Sequence, residues 1–157
     1  MKKIAVIMLI LSLVGAGSAF AAGPLGLTGF GVYGTLGSTA GKLGGGVGLS
    51  LKWASFPVVG LQYNLTAERI NASVDYYIID AEGLAANLSY FLGAGLYAGI
   101  GTGGGEAQVD FGFRIPVGLQ FWPIRKFELF FAPVLAIAVI PTVNLGLGAE
   151  FGARVRF

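Results

Sequence analysis

The sequence predicts an all-β protein: an eight-stranded antiparallel up-and-down transmembrane β-barrel that is preceded by a cleaved signal peptide. The first observation behind this prediction is the alternation of apolar residues over positions 108–122 and again over 145–157. Because successive side chains of a strand point to opposite faces, each segment has one wholly apolar face and one face that carries the charges. Such strands fit a membrane barrel with lipid outside and a polar lumen inside.

The second observation is the N-terminus, which has the features of a secretory signal peptide in the expected order. A basic start at positions 1–3 precedes an apolar stretch at 4–14, and the small residues Ala19 and Ala21 follow it, as a cleavage site requires. We therefore predict a signal peptide at 1–21 and a barrel domain at 22–157. A retained membrane anchor is the alternative, but the apolar stretch is shorter than the ~20 residues that a spanning helix needs.

The third observation is the composition, which is 55% hydrophobic and 11% charged and is typical of a membrane protein. Once Lys2 and Lys3 are subtracted from the ten basic residues, eight remain against eight acidic ones. The domain then has no net charge with which to attract nucleic acid. The chain has no Cys and no His, which excludes disulfides, thiolate or imidazole metal ligands and the most common general base. We expect no cofactor, no metal site and no nucleic-acid partner.

Taken in order from the N-terminus, the same alternation assigns eight strands that are joined by short turns and loops. An even number of strands puts both chain termini on the periplasmic side. A polar turn is predicted at 80–83, and the glycines near 38–43 indicate a loop there. The predicted strands span 27–36, 45–54, 58–66, 71–79, 86–101, 108–122, 127–140 and 145–157.

The charged residues of these strands all fall on the polar phase of the alternation, which is the lumen side. A charge that faces lipid costs roughly 2–4 kcal/mol at the bilayer midplane, whereas inside the barrel opposite charges pair. We interpret the carboxylates as structural partners of the basic residues and not as catalysts. The predicted lumen charge network consists of Lys52, Asp75, Asp110, Arg114, Glu128, Glu150, Arg154 and Arg156.

Aromatic residues cluster at the strand ends that share a side with the termini, as the aromatic girdle of a membrane barrel does. The predicted periplasmic girdle consists of Trp53, Phe56, Phe121, Trp122, Phe127 and Phe157. The interior has two open alternatives: glycines on the lumen side leave water-filled spaces, or inward aromatic rings fill them. The inward aromatic residues are Tyr33, Tyr77, Phe91, Tyr97, Trp122 and Phe130.

Two other folds compete with the barrel. The segments 84–101 and 129–149 are apolar enough to be taken for spanning helices, but glycines in the first and Pro133 and Pro141 in the second disfavour a helix. A soluble barrel with its apolar face inside would expose rows of large apolar side chains of this chain to water. The run at 99–104 matches G-x-G-x-x-G, but no helix pattern follows it, so we interpret 102–107 as a hairpin loop.

The last third of the chain resembles the small OmpA/OmpX-type outer-membrane β-barrels, and more specifically a group of mostly uncharacterised bacterial outer-membrane β-barrel proteins. The resemblance rests on Arg114-Ile115-Pro116-Val117-Gly118-Leu119, on Glu128-Leu129-Phe130 with Pro133, on Pro141, and on Gly152-x-Arg154-x-x-Phe157. It implies an integral position in the bacterial outer membrane, surrounded by outer-membrane lipid. It also implies a C-terminal signal that the outer-membrane assembly machinery reads, formed by Phe151, Ala153, Val155 and Phe157.

The predicted function is that of a non-enzymatic, monomeric outer-membrane barrel, either structural or a narrow or plugged pore with a charge-paired lumen. The alternative is a surface binding module that contacts an envelope partner or a host surface through the loops at 37–44, 67–70, 102–107 and 141–144. The shortness and low charge of these loops disfavour binding. An enzyme is least favoured, since Ser50, Ser73 and Ser89 lack a histidine base.

Overall fold

The computed structural model describes residues 28–39, 42–54, 56–85, 87–101, 108–124 and 126–157. The predicted signal peptide, the segment 22–27 and the predicted loop 102–107 lie outside the described residues. The described chain contains eight strands: β1 (Thr28–Thr39), β2 (Lys42–Trp53), β3 (Val58–Asn64), β4 (Arg69–Ala85), β5 (Leu88–Gly101), β6 (Val109–Ile124), β7 (Phe127–Ile140) and β8 (Asn144–Arg156).

The strands form one closed antiparallel barrel in chain order, in which β8 pairs back onto β1. The barrel is staggered, as closure requires. When the cross-strand partners are followed once around the barrel, the path returns to β1 ten residues further along the strand. The path runs from Gly29 through Lys52, Val58, Asp75, Gly95, Arg114, Ala136 and Gly146 to Thr39.

The two faces of the barrel wall have opposite chemistry, and the predicted all-β fold, a closed eight-stranded antiparallel barrel, is confirmed. The cleaved signal peptide stays a prediction. In β6, Arg114 and Gln120 are buried inside, whereas Phe113 and Val117 are 51% and 48% exposed on the outside. The apolar outer face excludes the soluble barrel with reversed faces. None of the described residues lies in a helix that is long and apolar enough to span a membrane. The helical alternative is wrong, because the described residues of its two segments lie mainly in β5, β7 and β8.

The fourth strand differs most from its prediction. The predicted polar turn at 80–83 is wrong, because β4 runs for 17 residues to Ala85. Its pairing with β5 shifts between Tyr77 and Ile79, between Ile79 and Glu82, and between Gly83 and Ala85, and Ala81 has φ of 54°. Such bulges accommodate extra residues within a continuing ladder, so the polar residues here bend the strand and do not end it.

The first hairpin and the third strand also differ from their predicted bounds. The predicted loop at 38–43 is largely strand, because β1 and β2 continue pairing to Thr39 and Lys42. Glycine does not end a strand whose backbone is paired on both sides. The third strand ends at Asn64 and not at 66, because the Asn64 Oδ1 accepts hydrogen bonds from the backbone amides of Thr66 (3.0 Å) and Ala67 (2.8 Å). This local bonding favours a turn.

Candidate functional site

The lumen gathers the charged side chains of the strands into ion pairs. All eight residues of the predicted lumen charge network lie on the inward face, and none of their side chains is more than 18% exposed. Two further residues join the network: Asp80 pairs with Lys52, and Arg69 pairs with Asp110. The formal charges of these ten residues sum to zero, since five are basic and five are acidic.

The largest group of polar contacts surrounds Glu128 in the half of the barrel that holds the termini. Its Oε1 accepts hydrogen bonds from Arg154 Nη1 (2.7 Å) and Gln120 Nε2 (2.9 Å), and its Oε2 accepts one from Arg156 Nη1 (2.9 Å). The Glu128 side chain is fully buried. A buried carboxylate needs such partners, because desolvation is costly for a charge that has none.

A second group surrounds Arg114, closer to the opposite end of the barrel. Its Nη2 donates to Glu150 Oε2 at 2.8 Å, and its Nε lies 3.0 Å from Asp75 Oδ1. The Nε–H is not aligned with Asp75, so this second contact is an ion pair without a hydrogen bond to a described residue. Glu150 is 16% exposed, so this group is less completely buried than the Glu128 group.

The mouth of the barrel, at the end opposite the termini, carries the Arg69–Asp110 pair. Arg69 and Asp80 are absent from the predicted network, because the residue pattern predicts a loop at the first and a turn at the second. The continuation of the ladder past Asp80 depends on bulges, and no residue pattern in the sequence marks them.

Aromatic rings lie against five of the inward glycines, which favours a filled interior at those positions. A Cβ added to Gly118 would lie 2.6 Å from ring atoms of Phe91, and one added to Gly48 would lie 2.8 Å from the ring of Tyr33. Each ring thus packs closely against a glycine of the neighbouring strand. The same relation holds for Tyr77 with Gly93, Tyr97 with Gly112 and Phe130 with Gly152.

Rings and charges also pack on each other. Tyr77 stacks on Phe91 with ring centres 4.5 Å apart, and the Arg154 guanidinium carbon lies 3.9 Å from the centre of the Phe130 ring. We use the name plug for five buried side chains of the lumen, each of which is at most 3% exposed. The plug consists of Lys52, Phe91, Gln120, Glu128 and Arg154.

Five of the six predicted girdle residues lie on or near the outer surface at the end that holds the termini, and Trp122 does not belong with them. Phe56, Phe121 and Phe157 are 57%, 45% and 48% exposed. Trp122 instead points into the lumen, where its Nε1 donates to Ser89 Oγ at 3.0 Å, so its place in the girdle is corrected. Trp53 and Phe127, at the ends of their strands, are partly exposed.

The residues of the predicted assembly signal lie along β8 and beyond its end. Phe151 and Val155 are 47% and 46% exposed on the outer face, and Ala153 is partly exposed between them. The Phe157 amide donates to the Thr28 carbonyl at 2.8 Å, which ties the end of the chain to the start of β1. Recognition of these residues by assembly machinery stays a prediction.

The described residues contain no cluster of three or more His, Cys, Asp or Glu side chains that could hold a metal ion. Of the G-x-G-x-x-G run, Gly99, Ile100 and Gly101 lie in β5, and 102–104 fall outside the described part of the chain.

The closed barrel and its charge-paired lumen define a small eight-stranded β-barrel with the architecture of a membrane protein. No protein-family profile matches the chain, and no curated protein matches it. Among solved structures, it is similar to the N-terminal β-barrel domain of Pseudomonas aeruginosa OprF, with 15% identity over 79% of this chain and 96% of that domain, and a TM-score of 0.50. It is also similar to Ail, the attachment invasion locus protein of Yersinia pestis, with 17% identity over 83% of this chain and 96% of Ail, and a TM-score of 0.40. At this identity the OprF likeness shows that the two barrels share a fold.

Proposed function

We propose that the chain is a non-enzymatic, monomeric barrel of the bacterial outer membrane, exported through its signal peptide, and that its own side chains close the lumen. The observation that carries this proposal is the plug, in which Lys52, Phe91, Gln120 and Glu128 are 0% exposed. We expect side chains buried to this extent to interrupt the water path between the two ends of the barrel. An eight-stranded barrel is just wide enough for side chains to fill it.

The outer face supports the position in a membrane. Phe113, Phe131 and Phe151 are each about half exposed (51%, 49% and 47%), and apolar neighbours surround them along every strand. Such a band would make a soluble protein aggregate, whereas hydrocarbon accepts it. The closed ladder also meets the demand of the bilayer that backbone polar groups be paired within the protein.

The plug resists opening because its charges are shared among several partners. Moving Glu128 would separate it from Arg154, Arg156 and Gln120 together. Breaking a buried pair costs about 3–5 kcal/mol. Thermal opening is therefore rare, and the expected activity of the barrel is structural and not transport.

Location and closure of the barrel are tested by fractionation and gel mobility. The full chain, expressed in a Gram-negative host, should lose its signal peptide and fractionate with the outer membrane. Its unboiled band should migrate differently from its boiled band, because a closed barrel resists detergent until it is heated. Recovery in the soluble fraction, or identical mobility before and after boiling, contradicts the proposal.

The plug is tested by removing one ion pair at a time and measuring solute entry into liposomes. The double variant Glu128→Ser/Arg154→Ser removes both partners of the central pair and should make liposomes swell in small sugars. The matched control, Arg69→Ser/Asp110→Ser, removes the pair at the mouth. Liposomes that contain this control should swell no more than liposomes that contain the unmodified barrel. Equal swelling with both variants would show that the central pair is not what closes the lumen.

A further inference from the structure

A small internal cavity lies between the Glu128 group and the Arg114 group. The centre of a water molecule can move within about 10 Å³ of it, which is close to the space that one buried water needs. Its lining is mainly polar and includes Tyr33, Ser50, Ser73, Asp75 and Arg114. The hydroxyls of Tyr33 and Ser73 both point towards Gly60, since a Cβ added there would lie 2.7 Å from each.

Two atoms at this place lack a hydrogen bond to any described residue. They are Asp75 Oδ1 and Arg114 Nε, on side chains that are 5% and 10% exposed. Buried polar atoms are nearly always hydrogen-bonded, either to protein or to ordered water. Their ion pair at 3.0 Å supplies attraction but does not satisfy the misaligned N–H.

The hydrogen-bonded chain of the plug ends at the same cavity. It begins at the end that holds the termini and reaches Ser50, whose Oγ accepts from Arg154 Nε at 2.9 Å. Ser50 lines the cavity, and so do Asp75 and Arg114. In order, the chain runs through Trp122, Ser89, Gln120, Glu128, Arg154 and Ser50.

We propose that this cavity binds one water molecule, which bridges Asp75 Oδ1 and its polar neighbours to Ser50 and joins the two groups into a single hydrogen-bonded network. This inference goes beyond closure of the lumen, because the plug could close the barrel without any hydrogen-bonded link between the Glu128 group and the Arg114 group. The lining also selects water over an ion. A cation would lie beside Arg114 and Arg154, and an anion beside Asp75 and Glu150, whereas water donates to the carboxylates and accepts from the guanidinium group.

The site is tested first by crystallography of the refolded barrel. Density for one water should lie within hydrogen-bond distance of Asp75 Oδ1 and a cavity hydroxyl. The variant Gly60→Ala should displace it, because the new methyl group occupies the space beside Tyr33 and Ser73. Gly83→Ala is the matched control, since nothing lies within 4 Å of a Cβ there, and it should keep the water. If Gly60→Ala does not fold, Ser73→Val serves as the filling variant. A site without density in the unmodified barrel overturns the proposal.

The joined network is tested by a double-mutant cycle. Asp75→Asn and Ser50→Ala change two polar residues of the cavity lining that the water would join, so their effects on the unfolding equilibrium constant should be non-additive by at least about threefold. In the Gly60→Ala or Ser73→Val background the two effects should become additive. Additive effects in the unmodified barrel, or coupling that persists after the cavity is filled, would overturn the bridging role.

Discussion

Removal of the charge on Glu128 should destabilise the barrel more than any other change of a single charge. We expect Glu128→Gln to keep the side-chain volume while removing the carboxylate that Arg154 and Arg156 share at 2.7 and 2.9 Å. Both guanidinium groups are at most 5% exposed, and Arg154 lies against the Phe130 ring, so neither reaches water without repacking. The loss of one partner of a buried pair costs about 3–5 kcal/mol, which is roughly a hundredfold to several-thousandfold in the unfolding equilibrium constant.

The assay is equilibrium unfolding of the refolded barrel in urea, in lipid vesicles, followed by the fraction that migrates as the folded band. Glu82→Gln is the control, because Glu82 is an exposed carboxylate of β4 and its loss should change the free energy of unfolding by less than about 0.5 kcal/mol. The double variant Glu128→Gln/Arg154→Gln should regain part of the loss, since it also removes an uncompensated charge. A loss below about 1 kcal/mol for Glu128→Gln, or no difference from Glu82→Gln, would refute the reasoning.

Three other substitutions test the contact between an inward glycine and an aromatic ring, the outer face of the barrel, and the C-terminal residue. Gly118→Val should cost about 2 kcal/mol of unfolding free energy by overpacking, since an added Cβ lies 2.6 Å from a phenylalanine ring. Its control, Gly83→Ala, has open space around the added methyl group and should be near neutral. Equal urea midpoints for the two variants would contradict the expected overpacking. Phe113→Arg should lower the unfolding free energy in vesicles by roughly 2–4 kcal/mol. Its control, Val143→Arg, lies in a turn and is 79% exposed, so it should lower the unfolding free energy little. If Arg is tolerated equally at both positions, Phe113 does not face lipid. Phe157→Ala should lower the folded yield in cells but not refolding in detergent, and an equal loss in both would indicate a purely structural role.

The sequence predicts the two faces of the wall because a strand period of two separates them without any knowledge of the partners. Arg114, Glu128 and Arg154 could be placed in the lumen on this basis alone, since each alternates with large apolar residues. The number of strands followed from counting such segments.

Pairing partners could not be predicted, because they depend on stagger and bulges. The register of β7 and β8 places Glu128 opposite Arg154, and the registers of β4, β5 and β6 bring Asp75 level with Arg114. The bulges of β4 continue the strand past the point where a turn was expected, and so bring Asp80 to Lys52. No pattern in the residues encodes these shifts.

The role of the inward glycines was also beyond the sequence. A glycine next to an aromatic residue in the chain says nothing about the ring that lies on it from the neighbouring strand. The register of the neighbouring strands alone places the Phe91 ring against Gly118 and the Tyr33 ring against Gly48. The same limit explains Trp122, whose position at a strand end fits a girdle while its indole bonds Ser89 inside the lumen.

Single-channel recording in planar bilayers tests the central claim, closure of the lumen by the plug, most directly. The barrel should first be shown to be inserted, by its gel shift after extraction from the same lipid. With Lys52, Phe91, Gln120 and Glu128 fully buried, the unmodified protein should give no discrete current steps at moderate voltage and salt. Stable, uniform conductance steps from the inserted monomer would contradict the account, because they would require a continuous water path through the plug.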